Sequence, residues 1–212
     1  MANDQSPGAP RGLLYIVSAP SGAGKTSLVK GLTDALHGVE TSVSYTTRPQ
    51  REGEVEGVNY HFVDQATFDD LQARGDFLEH ATVFGCSYGT SRARVLGRLE
   101  QGVDVILEID WQGAAQIRRA LPGCVSVFIL PPSRQALEQR LNDRGLDSRE
   151  VIARRLREAV HEMSHYRDYD FVIVNDDFTE ALEGLAAIFV AHRLTTRYQS
   201  VRLLPLIHDL LG

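Results

Sequence analysis

Residues 13–26 read L-L-Y-I-V-S-A-P-S-G-A-G-K-T, and the fold turns on how this stretch is understood. Leu13 to Ser18 is a short apolar run suited to a strand buried on both faces. Residues 19–26 follow the pattern G-x-x-x-x-G-K-[ST] except at its first position. Leu28, Leu32 and Leu36 then recur every four residues and mark an amphipathic helix. Strand, glycine-bearing turn and helix in that order let backbone N–H groups and a helix N-terminus cradle phosphate. The expected triphosphate-binding residues are Ala19, Pro20, Ser21, Gly22, Ala23, Gly24, Lys25, Thr26 and Ser27. Lys25 would bridge the β- and γ-phosphates, and the Thr26 hydroxyl would ligate Mg²⁺. Ala19 replaces the usual first glycine, but Pro20 pushes it towards extended dihedrals that alanine tolerates.

Moving outward, Val103 to Ile109, Val125 to Leu130 and Phe171 to Val174 are further core-strand runs. Helical patterns fall over Ser91 to Glu100, Ser133 to Asn142, Arg149 to Ser164 and Thr179 to Tyr198. Strands alternating with helices predict an α/β fold with a parallel five-stranded sheet covered on both faces. The stretch from Thr41 to Gly89 differs, with short alternating segments and one short helix near Phe68 and Leu71. It predicts a small mixed β insertion over 44–89. A charged insertion occupies 131–157, leaving 11–43, 90–130 and 158–212 as the core. Residues 1–10 are polar, carry Pro7 and Pro10, and lack a signal peptide's apolar stretch, so a disordered lead into a cytoplasmic protein is expected.

The 212 residues carry 22 basic and 28 acidic side chains, a formal net charge of −6. That balance disfavours a nucleic-acid partner gripped through a broad basic face. Phosphate binding must then be local, which a screening length of about 8 Å at physiological salt allows. No apolar run approaches a membrane span. Cys86 and Cys124 fit no CxxC or Cys/His spacing and are expected as free thiols. His161 and His165 share a helical face but lack a third ligand, so they, like His61 and His80, are expected to pack or face solvent.

A phosphate loop leaves GTPases, ATPases and small-molecule kinases open. Lys25 and Lys30 are the only lysines, so the Asn-Lys-x-Asp base-reading motif of Ras-like GTPases is absent. The two insertions suggest lobes closing over an acceptor and a donor, which excludes water and suppresses hydrolysis.

Four further motifs carry a resemblance. S-x-T-T-R-x-x-R-x-G-E (Ser44 to Glu54), F-L-E-H-A (Phe77 to Ala81), Y-G-T-S (Tyr88 to Ser91) and I-D-W-Q-G (Ile109 to Gly113) occur in order around the loop. The chain resembles guanylate kinases of the bacterial type from about residue 11 to residue 200. The resemblance implies a P-loop nucleoside monophosphate kinase fold, with 44–89 as the GMP-binding insertion and 131–157 as a helical lid. It implies Mg²⁺-dependent transfer of the γ-phosphoryl group of ATP to GMP.

The same resemblance implies residue roles. Arg48 and Arg51 would pair with the GMP phosphate, helped by the Tyr60 and Tyr88 hydroxyls; arginine's fork suits phosphate oxygens. Glu79, supported by Ser44 and Thr90, would accept guanine N1–H and N2–H₂ together. Adenine lacks a proton at N1, so that carboxylate would repel it. Arg144 and Arg155 would neutralise charge on the transferred group. Asn175 would contact the adenine of ATP. Glu108 and Asp110 end an apolar strand, where an acid could orient a Mg²⁺-bound water or touch the acceptor base. Relatives often carry aspartate where Glu108 stands, so Asp110 is weighted above it. The acceptor is already anionic, so no histidine base is required. Two other readings stay open: a kinase of different base specificity, and a non-catalytic guanylate-kinase-like interaction module. Whether the chain is a monomer or a homo-oligomer is not read from the sequence.

Overall fold

In the computed structural model, residues 12–83, 85–142 and 149–212 are described. The expected disordered lead (1–10) and Arg144 lie outside them. The chain begins with β1 (Leu14–Ser18), α1 (Lys25–Ala35) and β2 (Val39–Thr41). Next come β3 (Tyr45–Thr46), β4 (His61–Phe62), α2 (Gln65–Ala73), β5 (Phe77–Val83) and β6 (Cys86–Ser91). The chain returns through α3 (Arg92–Glu100), β7 (Asp104–Glu108), α4 (Trp111–Ala120) and β8 (Val125–Leu130). It ends with α5 (Arg134–Asn142), α6 (Arg149–Ser164), β9 (Phe171–Val174), α7 (Phe178–Arg193), α8 (Thr196–Arg202) and α9 (Leu204–Leu211).

All five residues of β1 are buried, as an apolar run between two helical layers requires. Tyr15 and Val17 point into one core with Leu28 and Leu32 of α1 and Leu185 and Phe189 of α7. Leu14 and Ile16 point into the other, with Val95 of α3 and Ala114 and Ile117 of α4. The alternation follows from the period-two pleat, and it makes β1 the centre of the sheet β2-β7-β1-β8-β9, parallel throughout. The chain leaves β1 for β2 and returns to β7 between them. That reversal opens a crevice at the carboxyl ends of β1 and β7, where ligands of open α/β sheets bind.

The 44–89 region builds a second, mixed sheet, β4-β3-β6-β5. Here β3 pairs parallel with β4 and antiparallel with β6. Strand β6 runs on through Thr90 and Ser91, past the boundary expected at 89. The charged insertion contributes α5 and the start of α6, which share their own apolar cluster through Leu137, Leu141, Ile152 and Leu156. Helix α6 crosses the boundary expected at 157 without a break, so the charged insertion and the core share one rod. The helix predicted over Thr179 to Tyr198 is two helices. It stops at Arg193, and Thr195 turns extended before α8. No helix among the described residues is long and apolar enough to cross a membrane.

Candidate functional site

The phosphate loop leaves β1 beside the end of β7, where Val17 is paired with Glu108. The Ser18 hydroxyl donates to the Ile109 carbonyl at 2.7 Å and ties the two strand ends together. Gly22 and Gly24 take left-handed dihedrals (φ 93° and 88°), which turn the loop over the start of α1. Beneath it, the Asn175 side-chain amide donates to the Ala23 carbonyl at 2.7 Å. A Cβ on Gly24 would come within 2.3 Å of that same nitrogen, so only glycine lets Asn175 close under the loop. Asn175 is itself fixed, since its backbone N–H donates to the Leu130 carbonyl and its carbonyl accepts from Arg140.

A cleft of about 690 Å³ opens above the loop, within the usual range for small-molecule sites. One wall is the loop itself, with Ala19, Pro20, Ser21, Gly22, Gly24, Lys25, Thr26 and Ser27 on the surface. The opposite wall carries Ser44, Arg48, Arg51, Tyr60, Glu79 and Tyr88 from the second sheet and its loops. Glu108 and Asp110 lie between them, and Arg155 and Glu162 enter from α6. The structure thus brings the expected residues of both walls to one cleft, with three exceptions among the described residues. Ala23, Thr90 and Asn175 are buried behind the surface and act on it through neighbours.

Glu79, on β5, is buried, with 3% of its surface exposed. Its Oε1 accepts from the Thr90 hydroxyl at 2.5 Å. Gly113 lets the carboxylate lie against α4, because a Cβ there would come within 2.5 Å of Oε2. Burial pushes the Glu79 carboxyl up to about 7, and the negative Asp110 adds to the rise; the Thr90 hydrogen bond opposes it. A buried acceptor at this position is poised to take a ligand that brings its own N–H donors.

Arg48 is held by Glu54 at 2.7 Å, and its guanidinium lies 5.3 Å from the Tyr60 ring centroid. The other Glu54 oxygen accepts the Arg51 backbone N–H at 2.8 Å. The Arg48 hydrogen bond is the main influence holding the Glu54 carboxyl below the usual carboxylate range. Glu54 is a component the sequence reading did not single out, although it closes the quoted Ser44 to Glu54 motif. Tyr60 and Tyr88 meet edge to face at 5.9 Å beside this pair, and burial raises the Tyr60 hydroxyl.

The two acids at the end of β7 differ from the expected weighting. Glu108 Oε2 accepts from the Thr26 hydroxyl at 3.2 Å. Asp110 instead caps α4, accepting from the Gly113 N–H at 2.9 Å and the Gln112 side chain at 3.0 Å. The longer side chain at 108 is therefore the one that reaches Thr26. His161 and His165 do not approach a metal-binding arrangement. His165 stacks on Trp111 with ring centroids 3.9 Å apart, and His161 meets the same indole edge-on. No group of three or more His, Cys, Asp or Glu suited to a metal occurs among the described residues.

Glu162 is the second component missed in the sequence. Its half-buried carboxyl lines the same cleft as Lys25. Burial raises it to about 7 against the opposing charge of Lys25. The available signal was its spacing: it stands two helical turns after Arg155, on the same face of α6.

Comparison with known proteins agrees with this architecture. The family model described as guanylate kinase matches residues 11–192. A guanylate kinase of Alkalilimnicola ehrlichii is 61% identical over 201 residues, covering 95% of this chain and 99% of that protein. One from Pseudomonas fluorescens is 58% identical over 201 residues, covering 95% and 98%. The crystal structure of guanylate kinase from Anaplasma phagocytophilum superposes with a TM-score of 0.77 at 34% identity, covering 92% of this chain and 94% of that one.

Proposed function

Because the chain belongs to the guanylate kinase family, we propose that it transfers the γ-phosphoryl group of ATP to GMP, giving ADP and GDP. The observation that carries this reading is Glu79. A buried carboxylate anchored by Thr90 faces, across one cleft, the loop that would hold a triphosphate. Guanine offers N1–H and N2–H₂ in parallel to such an acceptor, whereas adenine presents a lone pair at N1.

In the proposed reaction the loop N–H groups and Lys25 hold the β- and γ-phosphates of ATP. Arg48 and Arg51, with the Tyr60 and Tyr88 hydroxyls, hold the GMP phosphate so that one of its oxygens faces the γ-phosphorus. That oxygen forms the new P–O bond as the bond to the β-phosphate bridging oxygen breaks and ADP leaves. Arg155, joined by Arg144 from the 131–157 lid, offsets charge on the transferred group. Ser44 lines the base side of the cleft beside Glu79. Positioning and electrostatics supply the rate, so no histidine acts as a base.

The residues also suit a Mg²⁺ ion, which takes oxygen ligands and keeps several waters. The Thr26 hydroxyl would bind it directly and Glu108, already hydrogen-bonded to that hydroxyl, through water. When bound, the ion would neutralise charge between the β- and γ-phosphates. A cytoplasmic location follows from these two substrates.

The test is ADP release measured with GMP, AMP, UMP and CMP as acceptors. GMP is expected to be the preferred acceptor by orders of magnitude in kcat/KM. Faster turnover of any of the other three would remove Glu79 as the base reader.

A further inference from the structure

Strand β5 lies at the end of the second sheet and pairs with β6. On its other edge, a side chain of the core helix α4 takes the place of a neighbouring strand. The Gln116 amide donates to the His80 carbonyl at 2.7 Å and accepts the His80 N–H at 3.2 Å. Both bonds go to the backbone of one residue, so they hold that point of the strand as a ladder pair would. His80 follows Glu79 directly. Gln116 stands one helical turn after Gly113, the residue against which Oε2 of Glu79 lies. One face of α4 thus meets two consecutive residues of β5, the carboxylate of the first and the backbone of the second.

This anchor falls where the ladder of the sheet itself is interrupted. Phe77 is opposite Ser91 and Glu79 is opposite Thr90, so Leu78 is an extra residue and Glu79 emerges from a bulge. A bulge bends the strand and disrupts its local pairing. Leu78 packs into the core with Ala114 and Ile117 of α4, but apolar contact is non-directional and resists sliding along the helix only weakly. Two hydrogen bonds to one peptide residue are directional and do resist it. We propose that Gln116 is a positioning residue for base recognition: its amide fixes β5 just past the bulge, so that the Glu79 carboxylate meets both N1–H and N2–H₂ of guanine. The proposal deepens the reading of Glu79 as the guanine acceptor and rests on it. Helix α4 is capped by Asp110, which lines the cleft, so the same helix ties the base-reading strand to the strand end beside the phosphate loop.

Inosine monophosphate keeps N1–H and lacks the N2 amine, so the ratio of kcat/KM for GMP over that analogue reads how well the carboxylate meets both donors. The experiment measures this ratio on the full chain for the parent, Gln116→Met, Gln116→Glu, Glu79→Gln and the Glu79→Gln/Gln116→Met double variant. Hydrogen exchange at the His80 amide, affinity for a non-hydrolysable ATP analogue with Mg²⁺, and thermal melting accompany it. Methionine matches the length of glutamine and removes both bonds; glutamate keeps an acceptor for the N–H and loses the donor. In Gln116→Met the ratio should fall about five-fold or more and His80 exchange should quicken about ten-fold, with ATP-analogue affinity within about two-fold of the parent. In Glu79→Gln the ratio is already lost, and adding Gln116→Met should change it by less than about two-fold. A ratio in Gln116→Met within about two-fold of the parent overturns the proposal even if the melting temperature drops, because that marks a merely structural role. An equal loss for GMP and for the ATP analogue overturns it too, as does an effect that persists in full in Glu79→Gln. If the methionine variant does not fold, Gln116→Glu is judged by the same criteria. If Glu79→Gln leaves the ratio of the parent unchanged, the base-reader assignment fails and takes the proposal with it. A ratio that collapses in Glu79→Gln but holds in Gln116→Met sinks the proposal alone.

Discussion

A Cβ on Gly113 would lie 2.5 Å from Oε2 of Glu79, so the buried carboxylate occupies space that any other residue on α4 would need. Asp110 holds that first turn of α4 in place by accepting the Gly113 N–H. Glu79, Gly113 on α4 and the strand-end Asp110 are thus one packed unit.

Gly113→Ala is expected to act on base recognition. Its backbone lies outside the left-handed region, so alanine meets no dihedral strain and its effect runs through contact with Glu79. Overpacking of this kind costs about 1–3 kcal/mol. If half of that falls on the carboxylate's placement, KM for GMP rises about two- to ten-fold while affinity for an ATP analogue stays within two-fold. Steady-state kinetics in GMP with analogue titration checks this, and an equal loss on both substrates would point to general loosening.

Acidity gives a second expectation. The Glu79 carboxyl is raised to about 7, above its ordinary 4.5. Folded protein therefore keeps a proton that the unfolded chain has lost between those values, and this group's contribution to stability falls as pH rises through that window. The proposed acceptance of guanine N1–H and N2–H₂ by Glu79 needs its ionised form. GMP affinity should then weaken below about pH 7, approaching ten-fold per unit. The GMP phosphate titrates near pH 6 as well, so Glu79→Gln is the control. It should bind GMP weakly at all pH values and retain only the shallower phosphate dependence. Calorimetric titrations from pH 5.5 to 8.5 distinguish the two curves.

Much of this cleft was legible in the sequence, for identifiable reasons. Strand β1, the phosphate loop and α1 are contiguous, and their periodicities and glycines are local signals. Glu79, Thr90, Arg48 and Arg51 became legible only through four quoted motifs, because no periodicity pairs Glu79 with Gly113. Strand β2 has three residues, too few for alternation to register. The break between α7 and α8 has neither glycine nor proline; Leu194 and Thr195 simply change dihedrals there. Glu162 reads as an ordinary acid on a charged helix until the fold brings it into the cleft that Lys25 lines. Asp110 was weighted above Glu108 because the family usually has the shorter aspartate at 108, whereas here the longer glutamate reaches the Thr26 hydroxyl and Asp110 caps α4.

The Arg48–Glu54 pair gives a third expectation. Both side chains are largely covered (11% and 19% exposed), and Glu54 also holds the Arg51 backbone. Hydrogen bonds involving charged groups contribute about 1.5–3 kcal/mol. Glu54→Gln should therefore raise KM for GMP by about ten-fold, with a smaller fall in kcat, because Arg48 loses the partner that aims it. Affinity for the ATP analogue should not change. A drop in melting temperature without any change in KM would reduce Glu54 to a fold-stabilising role.

The last expectation concerns Asn175, which the family resemblance links to adenine and which here lies under the phosphate loop. Its side-chain nitrogen is committed to the Ala23 carbonyl, and Gly24 packs against it so closely that the amide has little room to turn outward. If bracing the loop is its work, Asn175→Ala leaves the Ala23 carbonyl without that donor and opens space beneath Gly24. An unsatisfied buried carbonyl costs about 1–3 kcal/mol. Affinity for triphosphates should then fall by about ten-fold regardless of what is attached to them. Inorganic tripolyphosphate, ATP and GTP should all lose the same factor. If Asn175 instead touches the base, tripolyphosphate binding is untouched and only the preference between ATP and GTP changes. Competition titrations with the three ligands separate these outcomes, because tripolyphosphate carries the charge the loop reads and no ring for an amide to contact.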